Sequence, residues 1–252
     1  MNEALHAGRL PAPNPIADDG DERHFCSTCA FGSVCLPAGL DKASLHELHM
    51  LVEHVGPYHT GDHVFRTRER FGALFAVRAG MVKTRLIDSA GREQVLGFHL
   101  PGEMIGLDAI HPAQYPCDAI ALDTVYVCRF SFPALATLAT KIPDVQRRLF
   151  DLLSADIGKA SQLLGDHSAD ERVAAFVLDL AGRYAARGFA PNAFRLVMPR
   201  ADIANYLRLA AETVSRVLRR FQDRKLIHVN GREVELLDKT GLSELAQHIL
   251  RG

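Results

Sequence analysis

Three of the five cysteines in this sequence lie close together near the N-terminus, in the stretch HFCSTCAFGSVC. They are Cys26, Cys29 and Cys35. Grouped thiols of this kind form disulfides, bind zinc, bind an iron–sulfur cluster, or do none of these. A zinc or iron–sulfur site held by cysteines usually has four ligands. The first question is therefore which distant residue supplies the fourth.

The rest of the sequence sets the chemical context of these thiols. The chain has 252 residues, enough for two domains, and its 48% hydrophobic and 23% charged content is ordinary for a globular protein. No apolar run approaches the roughly 20 residues of a membrane-spanning helix. Residues 1–25 are rich in Pro, Asp and Ala and lack a secretory signal pattern, so we expect this segment to be disordered. We also expect a cytoplasmic protein with no membrane partner, in which clustered cysteines bind metal or do redox chemistry more often than they form disulfides.

A strand-like pattern extends from about Gly61 to Phe132. Short runs rich in Val, Phe, Tyr and Ile are separated by turn dipeptides such as Ala90-Gly91 and Pro101-Gly102. This spacing predicts a small antiparallel barrel or jelly roll. Before the strands, residues 40–55 predict an amphipathic helix. Its apolar side would consist of Leu45, Leu48, Leu51 and Val52.

A long helical pattern follows the strands, from about Ile142 to Gly165. Two interpretations of its apolar stripe are open: packing against its own domain, or a parallel coiled-coil dimer seam. Periodicity alone does not separate them. The next helix is predicted to begin with a capping box of Ser168 and Glu171 and to end at Gly188. The stripe of the long helix consists of Val145, Leu149, Leu152, Ile157, Leu163 and Leu164.

The C-terminal segment predicts a DNA-binding fold. The pattern predicts two helices separated by a tight turn, over residues 201–207 and 211–224. The dipeptide Asn230-Gly231 that follows is a strong hairpin signal. A helix-turn-helix followed by a hairpin is a winged-helix arrangement. Residues 170–252 carry 14 Lys and Arg against 10 Asp and Glu, whereas the rest of the chain is acidic. The basic half suits a polyanionic partner.

The second of these helices carries side chains that can read base edges. Glu212, Ser215 and Arg216 follow one another at i, i+3 and i+4, so they share one face. Glutamate accepts from cytosine N4, arginine pairs bidentately with guanine, and serine bonds to either base type. The alternative is a solvated helix with a Glu212–Arg216 ion pair, but the position between a tight turn and a wing favours DNA. The predicted DNA-binding residues are Glu212, Thr213, Ser215, Arg216, Arg219 and Arg220.

Together these motifs resemble the Crp/Fnr transcription regulators, and specifically the Fnr-type oxygen sensors. The resemblance covers nearly the whole chain after residue 25. It implies an α+β fold: an N-terminal β-roll (a jelly roll like that of cyclic-nucleotide-binding domains), a long dimerisation helix and a C-terminal winged helix-turn-helix. We expect the cysteine loop and β-roll over 26–138, the dimerisation helix over 139–166 and the DNA-binding domain over 167–252. The resemblance rests on CSTCAFGSVCLP, LFAVRAGMVKT, GREQVLGFHLPGEMIGLDAI, ADERVAAFVLDLAGRYAARGF and DIANYLRLAAETVSRVLRRFQ.

The resemblance also implies a cofactor and its ligands. In cluster-bearing members, three N-terminal cysteines spaced C-x2-C-x5-C join one cysteine on a late strand of the β-roll. Cys26, Cys29 and Cys35 have that spacing, and Cys128 matches the distant position, whereas Cys117 does not. The implied group is a [4Fe–4S] cluster that O2 dismantles, which loosens the dimer and releases DNA. A regulator structured by zinc, or one that responds through thiol redox chemistry without an oxygen-labile cluster, is the alternative that spacing leaves open.

The family pattern further implies the partners. Glu212, Ser215 and Arg216 form the E-x-x-S-R signature used on TTGAT half-sites, so we expect a homodimer on palindromic double-stranded DNA, with RNA polymerase as a further partner. Cyclic AMP is disfavoured, because Gly102-Glu103 is present but the segment HPAQYPCDA offers no arginine for the phosphate. No nucleophile–base pair or phosphate-cradling loop points to an enzyme.

The sequence departs from the family pattern at several positions. Arg208 occupies a turn position where members have glycine, which costs roughly 1 kcal/mol if the backbone is left-handed there. Ala211 replaces the valine that is common before the recognition glutamate, Glu212. The acidic residue that opposes dimerisation in well-known members is absent near Lys159 and Ala160.

Overall fold

The computed structural model describes residues 25–162 and 165–250. Leu163, Leu164 and all but the last residue of the predicted disordered segment lie outside these ranges. In the described part of the chain, no helix is long and apolar enough to cross a membrane. The helices are α1 (Phe25–Thr28), α2 (Lys42–His49), α3 (Phe132–Lys141), α4 (Pro143–Gln162), α5 (Ala169–Ala185), α6 (Arg200–Tyr206), α7 (Ala211–Asp223), α8 (Lys239–Leu245) and α9 (Gln247–Leu250). The strands are β1 (Val52–Tyr58), β2 (His63–Phe65), β3 (Ala73–Ala79), β4 (Val82–Ile87), β5 (Glu93–His99), β6 (Met104–Ile105), β7 (Asp118–Ala121), β8 (Val125–Ser131), β9 (Ala193–Arg195), β10 (Ile227–Asn230) and β11 (Glu233–Leu236).

Two antiparallel sheets form the β-roll. One has the strand order β1-β8-β3-β6 and the other β2-β7-β4-β5. Alternating side chains of the two sheets point towards a shared core, in which Phe65 stacks on Tyr115 and packs against Phe75. The predicted jelly roll is confirmed.

The predicted helix over residues 40–55 is wrong in its second half. Helix α2 ends at His49, and residues from Val52 onward form β1. Val52 pairs with Phe130 and Val55 with Val127 on β8. The β-branched valines suit this strand, and pairing with β8 satisfies the backbone groups that a longer helix would have bonded internally. Only Leu48 of the predicted apolar side is fully buried within α2.

Helix α4 has two apolar faces rather than one stripe. Val145 is buried against the β-roll, and Leu149 and Leu152 pack beside it. Phe150 and Ile157 instead lie on the outside of the helix, with 60% and 69% of their surfaces exposed. Each of the two predicted interpretations therefore has a matching face. Val145, Leu149 and Leu152 pack on the protein's own domain, and Phe150 and Ile157 are exposed on the other face.

The C-terminal domain is a helix-turn-helix with a three-stranded wing. The capping box of Ser168 and Glu171 at the start of α5 is confirmed. The hairpin β10–β11 turns at Gly231, as predicted, and β9 adds a third strand that the sequence analysis missed. The core of this domain is continuous with Phe98 and Leu100 of the β-roll, so the two halves of the chain share apolar packing.

Candidate metal centre and nucleic-acid interface

The four predicted ligand cysteines come together from two parts of the fold. Cys26 lies in α1, Cys29 and Cys35 lie in the turns that follow, and Cys128 lies on β8 in the middle of its sheet. The turns are fixed by backbone hydrogen bonds, in which the Gly32 N–H donates to the Cys29 carbonyl at 3.0 Å. None of the cysteines forms a disulfide. A short N-terminal segment is thus folded back onto a central strand of the β-roll.

Cys35 and Cys128 pack in the same apolar cluster, where burial shifts the pKa values of the thiols. Burial raises the pKa of Cys35 to about 12, and the thiols of Cys128, Cys29 and Cys26 raise it further against a backbone hydrogen bond. Burial also raises the pKa of Cys128 to about 12, with Cys26 and Cys29 adding to it. The pKa of Cys26 rises to about 11 through burial and through Cys29. All six pairs among the four thiols are therefore close enough to interact.

The chemistry of this donor set fits an iron–sulfur cluster. Four cysteine thiols are the usual ligands of [4Fe–4S] clusters, and they also bind zinc. A single zinc ion holds its sulfurs about 2.3 Å from the metal, so they lie close to one another. Among the described residues, no three His, Cys, Asp or Glu side chains stand at the spacing for one metal ion. Four thiols are therefore a donor set that suits either an iron–sulfur cluster or a single zinc ion.

Cys117 is separate from this group. It is buried in the core of the β-roll, where its sulfur lies 3.6 Å from Asp108 Oδ2. Burial and the Asp108 carboxylate raise the pKa of this thiol, so it is protonated and unreactive at neutral pH.

Sequence reasoning missed a histidine beside the group. His54 is exposed and lies opposite Cys128 across the β1–β8 pair. Its Nδ1 is 3.5 Å from Cys128 Sγ. The signal that would have found it is strand register, which places residue 54 against residue 128 only once β1 is recognised as a strand.

The segment Cys26–Cys35, here called the cysteine segment, also contacts the rest of the fold at a glycine turn. Gly102 has a left-handed φ of 87°, and a Cβ built on it would lie 2.6 Å from Val34 Cγ2 and 3.1 Å from Phe31 Cβ. The Phe31 ring also lies 6.2 Å from that of Phe189, which follows α5. The cysteine segment therefore contacts the β-roll and the C-terminal domain at once.

Glu103, the residue after Gly102, forms ion pairs with the C-terminal domain. Its carboxylate accepts from Arg183 on α5 at 2.5 Å and from Arg187 in the turn after α5 at 2.7 Å. All three side chains are largely buried. A charged triad of this kind links the β-roll to α5 and occupies the acid that was considered for nucleotide binding.

A second buried carboxylate lies in the segment HPAQYPCDA. Asp118 accepts from the backbone N–H of Thr67 at 2.9 Å and from Arg85 Nε at 3.4 Å, and His63 Nε2 lies 3.8 Å away. The carboxylate of Asp118 is thus already bonded to the protein's own Thr67 and Arg85.

The predicted base-reading face lies on α7. Val214, Val217 and Phe221 are buried, which turns the opposite side of the helix outward. The side chains of Glu212, Ser215, Arg216, Arg219 and Arg220 are exposed, and that of Thr213 is partly exposed. Four of the six make local contacts: Ser215 Oγ donates to the Ala211 carbonyl at 3.0 Å, Arg216 donates to Thr213 Oγ1 at 3.3 Å, and Arg220 pairs with Asp170.

The turn before α7 requires a left-handed residue. Arg208 has a φ of 56°, so the strain predicted for a non-glycine residue at this position is present. The preceding helix α6 docks on β5: Asn205 Oδ1 accepts from the Val95 N–H at 2.7 Å, and Lys83 pairs with Asp202 at 2.8 Å. The base-reading face stays exposed in this docked arrangement.

Comparisons with known proteins agree with this geometry. Residues 171–245 match the Crp-like helix-turn-helix domain, and residues 56–141 match the cyclic nucleotide-binding domain. The chain is 43% identical over 230 residues to the transcriptional activator protein Anr of Pseudomonas aeruginosa, covering 90% of this chain and 94% of that protein. The chain belongs to the Crp/Fnr family. Its members are DNA-binding, dimeric transcription regulators and not enzymes.

Further relatives of this Crp/Fnr regulator are similar over most of their length. The fumarate and nitrate reduction regulatory protein of Escherichia coli is 38% identical over 227 residues, covering 88% of this chain and 90% of that protein. The structure of FixK2 from Bradyrhizobium japonicum matches with a TM-score of 0.70 and 28% identity, over 77% of this chain and 96% of that one. The family and fold predictions are confirmed. The side chains of Lys159 and Ala160, where the sequence lacks the family's acidic residue, are not among those that the structure describes.

Proposed function

We propose that this regulator senses oxygen through a [4Fe–4S] cluster held by Cys26, Cys29, Cys35 and Cys128. The observation that carries the proposal is the meeting of these four thiols, three from a short N-terminal segment and one from β8. When bound, the cluster would supply iron and sulfide that react with O2. The protein's part is to hold the thiols, which release their protons when they become ligands.

The zinc and thiol-redox alternatives have less support. A thiol that senses oxidants by itself needs a lowered pKa, because the thiolate is the reactive form. The pKa values of Cys26, Cys35 and Cys128 are instead raised, mainly by burial. Zinc would use the same four thiols, and the cluster is favoured over it by a relative that is named an anaerobic regulatory protein.

For DNA, we propose that α7 enters the major groove and that Glu212, Ser215 and Arg216 read TTGAT-type half-sites in a palindrome bound by a homodimer. Thr213, Arg219 and Arg220 would contact phosphates or flanking groups, and Arg220 would exchange Asp170 for a phosphate. The exposed Phe150 and Ile157 of α4 supply the dimer seam within the proposed dimerisation segment 139–166. The other proposed boundaries are 26–138 for the cysteine loop and β-roll, and 167–252 for the DNA-binding domain.

Two partner assignments follow from the same proposal. RNA polymerase stays a predicted partner, supported by relatives that are named transcriptional activators. Cyclic AMP is not a ligand in this proposal, because Glu103 is engaged by Arg183 and Arg187 and the segment HPAQYPCDA offers no arginine for a phosphate.

Anaerobic purification tests the cluster directly. We expect a coloured protein with visible absorption and about four iron and four sulfide per chain. A colourless protein with one zinc per chain would overturn the proposal. Binding to a TTGAT-N4-ATCAA duplex should be strong without oxygen and weak after exposure to air, and equal binding in both conditions would rule out oxygen control.

A further inference from the structure

The end of the cysteine segment is bonded directly to helix α4. The guanidinium of Arg148 donates to the carbonyl of Val34 at 3.2 Å and to the carbonyl of Cys35 at 3.1 and 3.3 Å. Arg148 is 113 residues from Cys35 in sequence, so this contact exists only in the folded chain. Because the acceptors are backbone carbonyls, the contact responds to the path of the segment rather than to its side chains.

The same part of α4 packs in one core with the segment. Cys35 and Leu36 are buried together with Val145, and Leu149 lies against them. Cys35 is thus a proposed metal ligand, a core residue and the acceptor of Arg148 at once. A displacement of Cys35 cannot leave α4 unaffected.

Arg148 lies on the side of α4 opposite the exposed apolar residues. Successive residues of a helix are about 100° apart, so Phe150 lies about 200° from Arg148 around the axis and Ile157 about 180°. Residues 148–157 contain no proline or glycine, so no kink is expected between these positions. A change in the carbonyl positions on one side therefore tilts or rotates the face that carries Phe150 and Ile157.

We propose that Arg148 is a positioning residue that couples the state of the cysteine segment to the dimer face of α4. The inference rests on the proposed cluster site. With Cys35 held as a ligand, the carbonyls of Val34 and Cys35 are fixed and Arg148 holds α4 in its dimer-competent position. When the ligands are released, the carbonyls move, the three hydrogen bonds are lost and the seam loses its alignment.

The test compares Arg148→Gln with wild type and with a matched control on the same helix. Arg147→Gln removes the same charge one residue away, where the side chain is 75% exposed and pairs only loosely with Asp144 at 3.4 Å. Each full-length protein is purified without oxygen. Its dimer dissociation constant is then measured by analytical ultracentrifugation with the cluster present and after its removal by air. The ratio of the two constants measures the coupling.

We expect the ratio in Arg148→Gln to fall at least about tenfold below that of wild type, because hydrogen bonds from a charged donor are lost. Iron and sulfide content and the visible spectrum should stay unchanged. Arg147→Gln should keep the wild-type ratio. Arg148→Lys should show a partial decrease, because one ammonium group can still reach a carbonyl.

Several results would overturn the inference. An unchanged ratio in Arg148→Gln would do so, even if both constants were weaker, because that is the result for a residue with only a packing role. Loss of iron from this variant would also do so, since it would place Arg148 in the ligand site itself. If Arg148→Gln does not fold, Arg148→Lys gives the same comparison. The wild type alone tests the proposed function, because a wild type without iron would fail before any variant is measured.

Discussion

The cysteine segment and the recognition helix α7 are built in opposite ways. The cysteine segment has one four-residue helix and a series of turns, and it is held in place by the β-roll, by α4 and by Phe189. Helix α7 is a 13-residue helix anchored by a continuous apolar face, and its functional side chains point away from the protein. The conformation of the cysteine segment therefore depends on the elements packed around it, whereas that of α7 is set by its own helical hydrogen bonds.

This difference matches two kinds of task. Reading base edges requires side chains at fixed spacing, which a helix provides through its own backbone hydrogen bonds. A sensor must change shape when its ligands change, and a segment with little regular structure can do so at a modest cost in free energy. The regions also differ in what a mutation should do. Changes of exposed α7 side chains that keep the helix intact should alter mainly DNA affinity, whereas changes around the cysteine segment should also affect the elements packed against it.

Removal of one thiol should have the largest effect. We expect Cys128→Ser to lose more than about tenfold of its iron and sulfide, because even the loss of an outer-shell partner costs about 10–100-fold in metal affinity. DNA binding should then no longer depend on oxygen. Iron analysis and mobility shifts in both atmospheres check this. Cys117→Ser is the matched control, since this thiol lies apart beside Asp108, and equal iron loss in the two variants would contradict the proposed ligand set.

The connection between the two regions should be the next most sensitive point. Glu103→Gln leaves two buried guanidinium groups, of Arg183 on α5 and of Arg187 just after it, without their shared carboxylate, and breaking a buried pair of this kind costs about 3–5 kcal/mol. Urea unfolding measures the change in the free energy of unfolding. Glu53→Gln breaks an exposed pair with Arg129 and should change this free energy by less than about 1 kcal/mol. Similar losses in both variants would show that the Glu103 triad adds nothing beyond a surface pair.

On α7, the two classes of contact should separate. Arg216→Ala should weaken binding to the TTGAT duplex by about 1–3 kcal/mol and relax the preference at one base pair. Arg219→Ala should weaken binding to all sequences alike and reduce the slope of log affinity against log salt by about one. Titrations with single-base variants of the site at several salt concentrations distinguish the two. If Arg216→Ala weakens binding equally on every sequence, it contacts phosphate and not a base.

The smallest effect concerns the strained turn before α7. Arg208 has a φ of 56°, so Arg208→Gly should stabilise the protein by about 1 kcal/mol. The same change at Arg219, inside the helix, should destabilise by about 1 kcal/mol. Urea unfolding of the two variants gives opposite signs if the turn geometry is correct. A loss of stability in Arg208→Gly would mean that its side chain contributes more than its backbone costs.

Much of this organisation could be predicted from local patterns. The recognition helix, the wing turn at Gly231 and the capping box of Ser168 depend on residues close in sequence, and all three were recovered. Strand β1 was not predicted, because its first residue, Val52, continues the helical spacing of Leu45 and Leu48. Only pairing with β8 makes this segment a strand. Strand β9 has three residues and carries almost no pattern of its own.

The candidate site also has a part that could be predicted from local sequence patterns and a part that could not. The spacing of Cys26, Cys29 and Cys35 is visible in the sequence, and Cys128 follows from the family resemblance. The contacts of Arg148 with Cys35 and of Glu103 with Arg183 join residues 113 and 80 positions apart. No periodicity links such residues, so their contacts emerge only from the packed fold.

Gly102 illustrates what this means for genetics. The residue is no ligand and lies 67 positions beyond Cys35, yet any side chain there would push into Val34 and Phe31 while its φ of 87° already disfavours one. A selection for cells that no longer respond to oxygen should therefore return substitutions at codon 102 alongside those at the cysteine codons. Such alleles would mimic the loss of a ligand with every cysteine intact.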